Sequence, residues 1–377
     1  MSNDAVNDQA PRYQVGFSPN YAVAPGDVLE EHRDAMSMTQ ADLALRLGLS
    51  AKHVNRIIAG LEPVTSDTAL KLESIFGLPA HVWLNLESRY REFKARESEF
   101  DSLSDEAAWL ERIPHKSLSK LGWIDRSRDR SELVRSLRGF YRVASLHFLP
   151  DVWRALEAQY RKTPAFKSHE WALVAWLAQG ERMAERITCM PYDAAALKGS
   201  LIELKAFSLL PGADFIEPLT RKCSELGIAL VLLPIPDGGR VCGATRWLKA
   251  DKAVVQLSLR YKTDDQLWFT FFHELGHVLL HKKNVEYIDF EKPGNKSETE
   301  KEADEFAAQT LVDQKALKQF ASSLSFGAAS VSAFAKQQGV APGIVVGQLQ
   351  HLGHVPFAST LSKLKKRFVW EHEHKTD

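Results

Sequence analysis

Cysteine is scarce in this chain, and the cysteines that are present lie far apart. Cys189, Cys223 and Cys242 are odd in number and include no CxxC pair. Neither a disulfide framework nor a cysteine-ligated zinc site is therefore supported. We expect reduced and mostly buried thiols, as in a bacterial cytosol.

A surplus of charge of one sign is also missing. The 48 Lys and Arg residues balance the 48 Asp and Glu residues, so the formal net charge is zero. A protein that is basic throughout is excluded, and any contact with nucleic acid must come from a local face. The chain also lacks an apolar stretch of membrane-spanning length, and residues 1–9 are mainly polar and acidic. We therefore expect a cytoplasmic location with no membrane partner.

The most informative motif is HELGH at residues 273–277, which lies in a long apolar run. This run, at residues 267–280, is too long and too apolar for a strand and follows two aspartates, so it predicts a buried helix. Residues four apart share one face of a helix, so both imidazoles can reach one ion while Glu274 points toward the water on that ion. The spacing predicts a Zn²⁺ site held by His273 and His277, with Glu274 as the general base.

An accidental match on a hydrophobic helix is the competing interpretation of this motif. Against it, a carboxylate and two imidazoles would be costly to bury without an ion or a hydrogen-bond network. A catalytic zinc site takes three protein ligands and leaves a fourth position for water. Lys283 stands where a metzincin places its third histidine, so the third ligand must lie elsewhere. His281, one turn after His277, is interpreted as a helix-end residue rather than a ligand.

The glutamate-rich segment at residues 298–308 predicts a second helix, with Glu300, Ala303 and Asp304 on one face. Small alanines would let this helix approach the first one closely. Glu300 would then reach the ion, and Asp304, one turn later, would accept a hydrogen bond from a ligand histidine. Glu302 stays open as an alternative ligand, because a run of glutamates also suits a solvated helix start.

Further motifs surround these helices between about Phe215 and Val312. They are GATRW at residues 243–247, SLRYK at 258–262 and the extended HELGHVLLH at 273–281. Together they resemble the ImmA/IrrE family of bacterial metallopeptidases. The resemblance implies a gluzincin-like zinc site that cuts transcriptional repressors, with His273, Glu274, His277 and Glu300 in the family's positions. Family members commonly carry Asn where this chain has Asp304.

Near the amino terminus, two short predicted helices are joined by a glycine-containing turn. Thr39 is the predicted N-cap of the first helix, which Gly48 ends, and Ser50 caps the second, which Gly60 ends. This arrangement predicts a helix-turn-helix whose second helix enters the major groove of double-stranded DNA. The predicted DNA contacts are Thr39, Gln40, Ser50, Ala51, Lys52, His53, Asn55 and Arg56.

A helical bundle with a solvated polar face is the competing interpretation of this region, because its local charge is mixed. The helix-turn-helix interpretation is favoured by the motifs PGDVL at residues 25–29, LGLS at 47–50, NRIIAG at 55–60 and WLNL at 83–86. The region from Pro25 to about Glu92 is similar to the XRE-type domain of HigA-like antitoxins. The resemblance implies a homodimer, and a symmetric dimer would read a palindromic operator.

The chain as a whole is predicted to be α+β and predominantly helical. The predicted divisions are an amino-terminal tail at 1–24, a five-helix helix-turn-helix domain at 25–99, a helical connector at 100–209, a zincin-like metallopeptidase domain at 210–318 and a carboxy-terminal helical subdomain at 319–377. Buried strands are predicted at 228–233 and 253–257. The segment 241–247 is expected to be an edge strand that holds an extended substrate by main-chain pairing.

The carboxy-terminal subdomain is predicted to contain helices at 328–338 and 342–351 that pack on the catalytic domain. Taken together, these features predict a cytoplasmic DNA-binding regulator that carries a zinc-dependent endopeptidase. Its expected partners are operator DNA and a protein substrate that is a repressor or resembles an antitoxin. The alternative is a non-catalytic antitoxin or repressor that binds operator DNA and a toxin and keeps the zincin fold as a scaffold.

Overall fold

A computed structural model of the protein describes residues 21–159, 170–283, 287–290, 297–322 and 326–370. Residues 1–20, most of the predicted amino-terminal tail, lie outside these ranges. The chain divides into two compact units between Asp105 and Glu106. Helices predominate in both units and the second also holds a small mixed sheet, which confirms the predicted fold class. Within the described ranges, every helix is too short or too polar to span a lipid bilayer.

The first unit consists of helices packed around one apolar core. The helices are α1 (Pro25–Ala35), α2 (Gln40–Leu47), α3 (Ala51–Ile58), α4 (Ser66–Phe76) and α5 (Ala80–Glu106). Leu43, Val54, Leu72 and Trp83 are fully buried at its centre. Helix α5 runs without a break past residue 99, where the sequence predicted a domain boundary.

The local signals that predicted the helix-turn-helix are confirmed. The Thr39 side chain accepts a hydrogen bond from the Asp42 backbone N–H in a capping box that starts α2. The Ser50 side chain accepts one from the His53 N–H and starts α3. Gly48 ends α2 with φ +67°, a left-handed conformation that glycine adopts without steric cost. The turn between α2 and α3 is therefore determined by residues close together in sequence.

The second unit begins with a series of helices. They are α6 (His115–Lys120), α7 (Arg130–Tyr141), α8 (Leu149–Gln159), α9 (Glu170–Arg186), α10 (Ala194–Ala206) and α11 (Ile216–Glu225). Of these, α9 and α11 pack on the sheet. A buried ion pair joins Glu106, which is the last residue of α5 and the first residue of the second unit, to α7. The Arg138 guanidinium donates to Glu106 Oε1 at 2.8 Å and to Oε2 at 3.0 Å, and Glu106 is 1% exposed.

The sheet has four strands in the spatial order β1-β3-β2-β4. They are β1 (Ile228–Leu232), β2 (Val241–Lys249), β3 (Lys252–Leu257) and β4 (Tyr287–Phe290). Strands β1 and β3 are parallel, and the other pairings are antiparallel. Thr245 of β2 lies between Val255 of β3 and Tyr287 of β4.

The prediction that residues 241–247 form an edge strand is wrong, because β2 pairs on both sides. The signal that was missed is the short segment at 287–290, which returns to cover β2. Arg246 stabilises the fold rather than binding a substrate, since its guanidinium donates to Glu181 Oε2 and to the Leu177 carbonyl of α9. In the described part of the chain, β1 and β4 are the edges of the sheet.

The remaining helices are α12 (Asp264–Leu280), α13 (Glu298–Leu311), α14 (Gln314–Ala321), α15 (Ala328–Gln338) and α16 (Pro342–His351). Of these, α12 packs on the sheet, α13 and α16 pack on α12, and α15 packs on α16. Trp268, Phe271, Phe272 and Leu275 of α12 are at most 1% exposed, so this helix forms the centre of the core.

Helix α16 packs on the start of α12, as the sequence predicted for the carboxy-terminal helices. Gly343 and Gly347 face two buried aspartates of α12, and a Cβ at either glycine would collide with Asp264 or Asp265. Lys365 donates to Asp265 Oδ2 at 2.6 Å. The carboxy-terminal segment thus anchors the helix that carries the HELGH motif.

Candidate metal centre and nucleic-acid interface

The two histidines of α12 face each other in the interior. His273 Nε2 and His277 Nε2 are 3.0 Å apart, and both side chains are 1% exposed. Glu300 of α13 joins them, with Oε2 3.2 Å from His273 Nε2 and Oε1 3.5 Å from His277 Nε2. Glu302 points instead to His281, with Oε2 3.0 Å from Nε2. Of the two predicted third ligands, Glu300 is the one that the fold brings to the histidines.

Close packing of α12 on α13 makes this convergence possible. A Cβ at Gly276 would lie 3.1 Å from Ala303 Cα and 3.2 Å from Phe306 Cδ1. Ala303 and Ala307 are fully buried at the same contact. Small residues on both helices therefore set the distance at which the glutamate of one helix reaches the imidazoles of the other.

Asp304 fixes the orientation of His273. Its Oδ1 lies 3.0 Å from His273 Nδ1, so this nitrogen donates to the carboxylate and Nε2 faces Glu300. Burial alone would lower the pKa of His273, but Asp304 and Glu300 raise it well above its ordinary value. Burial and the neighbouring imidazoles of His273 and His281 hold the pKa of His277 well below its ordinary value. The two imidazoles thus differ in pKa because carboxylates contact His273 while burial and other imidazoles act on His277.

Glu274 lies beside the histidines and is completely buried. The Thr245 hydroxyl lies 2.6 Å from Oε2, whereas Oε1 has no hydrogen-bond partner among the described residues. A Cβ at Gly243 would collide with Oε1 and come within 2.8 Å of Thr270 Cγ2. Burial raises the pKa of Glu274 to about 8, and nearby Asp289 adds to the rise while His273 opposes it.

Asp289 of β4 is a site residue that sequence reasoning missed. One carboxylate oxygen lies within 4.8 Å of ligand atoms of both His273 and Glu274. It faces the site because β4 pairs with β2, where Asp289 is opposite Gly243. The alternation in YIDF at residues 287–290 was the available signal, but it is too short to predict a strand by itself.

A cavity of about 160 Å³ is lined in part by Asp304. Phe269, Leu311 and Ile344 supply its apolar walls, and His351 lies at its lining. The cavity therefore adjoins the carboxylate that orients His273.

The donor set fits a divalent cation. One ligand atom from each of His273, His277 and Glu300 lies within 4.8 Å of the other two. Imidazole nitrogens and a carboxylate are ligands that zinc accepts, and Asp304 is placed to orient one of the imidazoles. The buried Glu274 Oε1, which has no hydrogen-bond partner among the described residues, also favours a bound positive charge.

Helix α3 of the first unit presents its polar residues to solvent. Ala51, Lys52, Asn55 and Arg56 are exposed, and His53 is partly exposed. Gln40 Nε2 lies 3.4 Å from Asn55 Oδ1, which joins the start of α2 to this face. Thr39 and Ser50 are exposed as well, but their hydroxyls act as helix caps.

The charge on this face is partly neutralised within the unit. Arg56 Nε donates to Glu62 Oε1 at 2.7 Å, and His53 Nδ1 lies 2.9 Å from Glu62 Oε2. Lys52 has no ion pair among the described residues. Lys52 is thus the most available cation on the exposed face of α3.

Comparison with known proteins supports both halves of this description. Residues 29–83 match the helix-turn-helix family model. Virulence-associated protein I of Dichelobacter nodosus is 34% identical over 84 residues, which are 22% of this chain and 77% of that protein. The chain belongs to this helix-turn-helix family. An uncharacterized HTH-type transcriptional regulator of Escherichia coli, YddM, is 26% identical over 66 residues, 18% of this chain and 70% of that protein.

Among solved structures, an addiction module antidote protein of a HigA family from Coxiella burnetii matches with 32% identity and a TM-score of 0.21. The match covers 22% of this chain and 92% of that one. Residues 223–327 match the IrrE N-terminal-like domain, a metallopeptidase family, and include the whole candidate metal centre. The two family-model matches confirm the resemblances inferred from the motifs to a helix-turn-helix domain and to an IrrE-like metallopeptidase domain.

Proposed function

We propose that this protein is a DNA-binding transcriptional regulator whose zinc-dependent endopeptidase domain cleaves a regulatory protein, such as a repressor or an antitoxin-like protein. The observation that carries the proposal is the convergence of His273, His277 and Glu300 beside the buried carboxyl of Glu274. Because the match to the IrrE N-terminal-like domain covers all four residues, it supports the same chemistry.

His273, His277 and Glu300 would hold the zinc ion. When bound, zinc polarises the scissile carbonyl and lowers the pKa of a water molecule toward neutrality. Asp304 keeps His273 in the tautomer that leaves Nε2 free to be a ligand. The chain thus supplies three ligands and leaves a further position for water, as catalytic zinc sites do.

Glu274 would act as the general base and then as the general acid. Thr245 holds Oε2 in place, so Oε1 is left to take a proton from the water and pass it to the leaving amine. Burial brings the pKa of Glu274 to about 8, near the range in which one carboxyl can both accept and return a proton at neutral pH.

The outer edge of β4 would bind the substrate main chain. In the described part of the chain, β4 pairs only with β2, and its Asp289 lies beside His273 and Glu274. An extended peptide added to this edge would pass next to the reacting groups. Strand β4 thus takes the substrate-binding role that was predicted for β2, because β2 is paired on both sides.

The exposed face of α3 would read operator DNA. Lysine and arginine suit phosphates or guanine edges, and Asn55 suits adenine. Thr39 and Gln40 would contact phosphate at the start of α2. A homodimer would present two copies of α3 to half-sites about one helical turn apart.

The zinc content of the purified full chain, measured by elemental mass spectrometry, tests the metal part of this proposal. We expect about one zinc per chain in the wild type and in Glu274→Gln, and none in His277→Ala. Zinc in none of the three, even after metal is supplied, would refute the metallopeptidase.

Catalysis is tested separately by comparing protein amino termini in cells that produce the wild type or Glu274→Gln. Loss of a general base costs about 10²- to 10⁴-fold in rate, so new amino termini should be confined to the wild type. If both proteins bind zinc yet yield the same amino termini, a non-catalytic antitoxin or repressor that binds operator DNA and a toxin becomes the better account.

A further inference from the structure

A second series of polar contacts reaches the metal centre through His277. His277 Nδ1 lies 2.9 Å from His281 Nδ1, and His281 Nε2 lies 3.0 Å from Glu302 Oε2. Tyr287 of β4 covers both rings, with centroids 4.1 Å from His277 in a stacked arrangement and 5.2 Å from His281. The rings of His277 and His281 are therefore held in place by packing as well as by hydrogen bonds.

The direction of both hydrogen bonds, His277 to His281 and His281 to Glu302, follows from the Glu302 carboxylate. An ionised carboxylate only accepts, so His281 Nε2 must carry a proton. A neutral imidazole has one donor and one acceptor nitrogen, so His281 Nδ1 is then an acceptor. His277 Nδ1 must donate to it, which leaves His277 Nε2 with a free lone pair directed at His273 and Glu300.

We propose that Glu302 and His281 are positioning residues that select the metal-binding tautomer of His277, the counterpart of what Asp304 does directly for His273. The proposal rests on the proposed function, since it assigns these two residues a role at the same metal centre. His281 would be more than a helix-end residue, and Glu302, rejected as a ligand by its position, would act through one intervening imidazole.

Burial explains why an intermediate imidazole is needed. The His277 side chain is 1% exposed and that of Glu302 is 54% exposed, while the His281 side chain between them is 5% exposed. A buried ligand is thereby connected to a solvated carboxylate without burial of another negative charge, which would be costly.

Zinc affinity of the full chain, measured by competition with a chelator using zinc alone as the probe, tests this role. Removing a group that orients a metal ligand costs about 10- to 100-fold in affinity, and we expect this loss in Glu302→Ala. Glu302→Gln should retain most of the affinity, because its amide oxygen still accepts from His281. Glu305→Ala is the matched control, an exposed glutamate of α13 that contacts Gln309. Equal affinities for Glu302→Ala and Glu305→Ala would overturn the proposal.

The tautomers provide a readout that needs no metal. Long-range ¹H–¹⁵N NMR of the metal-free, ¹⁵N-histidine-labelled chain should find the proton of His277 on Nδ1 and that of His281 on Nε2, with the pattern lost in Glu302→Ala. A proton on His281 Nδ1 in the wild type would refute the proposal. If the wild type takes up no zinc, the proposed function fails, and the tautomers then decide this inference by themselves.

Discussion

Helices α3 and α12 both carry polar side chains at helical spacing, but the two helices place them in opposite surroundings. On α3, Lys52 and Asn55 are exposed to solvent. On α12, His273, Glu274 and His277 are at most 1% exposed. Water can replace a lost partner on the first helix and cannot do so on the second. The polar groups of α3 are therefore available to a ligand, whereas those of α12 require a network or an ion.

This comparison implies that a polar substitution in the buried network is costly and that one on an exposed face is not. The second unit offers a direct test in two Arg–Glu pairs. Burial alone would raise the pKa of Glu106, but hydrogen bonds from Arg138, Ser145 and the Leu146 backbone lower it from 4.5 to about 2. The pair of Arg142 and Glu185 is half-exposed, with side chains 52% and 40% accessible.

The largest expected effect on stability is that of Glu106→Ala. Removing one partner of a buried ion pair costs about 3–5 kcal/mol, because the remaining charge is left without compensation. The control Glu185→Ala should cost at most about 1 kcal/mol. Because the folded pKa of Glu106 is depressed, its contribution is present above pH 4.5 and is lost as the pH falls toward 2. Urea unfolding of the full chain should show that Glu106→Ala lowers the free energy of unfolding less at pH 3 than at pH 7. An equal loss at both pH values would contradict this.

A smaller effect, on catalysis rather than on stability, is expected from Gly243→Ala. This substitution adds a methyl group where β2 meets Glu274. The new Cβ would displace the Glu274 carboxyl, and a misplacement of this kind costs about 100-fold in kcat/KM. Zinc content should not change, since the ligands lie on other elements. Gly199→Ala on α10 is the control, because a Cβ there meets nothing within 4 Å. Cleavage is assayed on a substrate identified from the new amino termini. Full activity in Gly243→Ala would show that the close approach of Gly243 to Glu274 is not needed for catalysis.

The smallest effect is expected from Lys52→Ala on the exposed face of α3. Loss of one phosphate contact should weaken binding to all duplexes alike and lower the slope of log Kd against log salt by about one. Lys71→Ala on α4 is the control, because that lysine pairs with Asp67 at 2.8 Å. Fluorescence anisotropy measures the Kd of each variant for two DNA duplexes of unrelated sequence. A loss confined to one duplex would show that Lys52 reads bases, and no loss would remove it from the interface.

Local signals in the sequence were sufficient for much of the fold. The caps at Thr39 and Ser50, the left-handed Gly48 and the apolar run around His273 each act within a few residues. The predicted helices at 328–338 and 342–351 coincide with α15 and α16 for the same reason. Strand order was not accessible in this way, because β4 follows α12 in the chain but lies beside β2 in the sheet.

The sequence by itself determined which residues could form a metal site, since helical periodicity places His273, His277, Glu300 and Asp304 on the facing sides of two helices. Only the tertiary structure decided that Glu300 reaches the histidines while Glu302 reaches His281, because this depends on the rotation and close approach of α12 and α13. It also decided that Asp289 joins the site through a strand pairing across 46 residues, from Gly243. Contacts between segments distant in the chain depend on how the core packs, which no local pattern specifies.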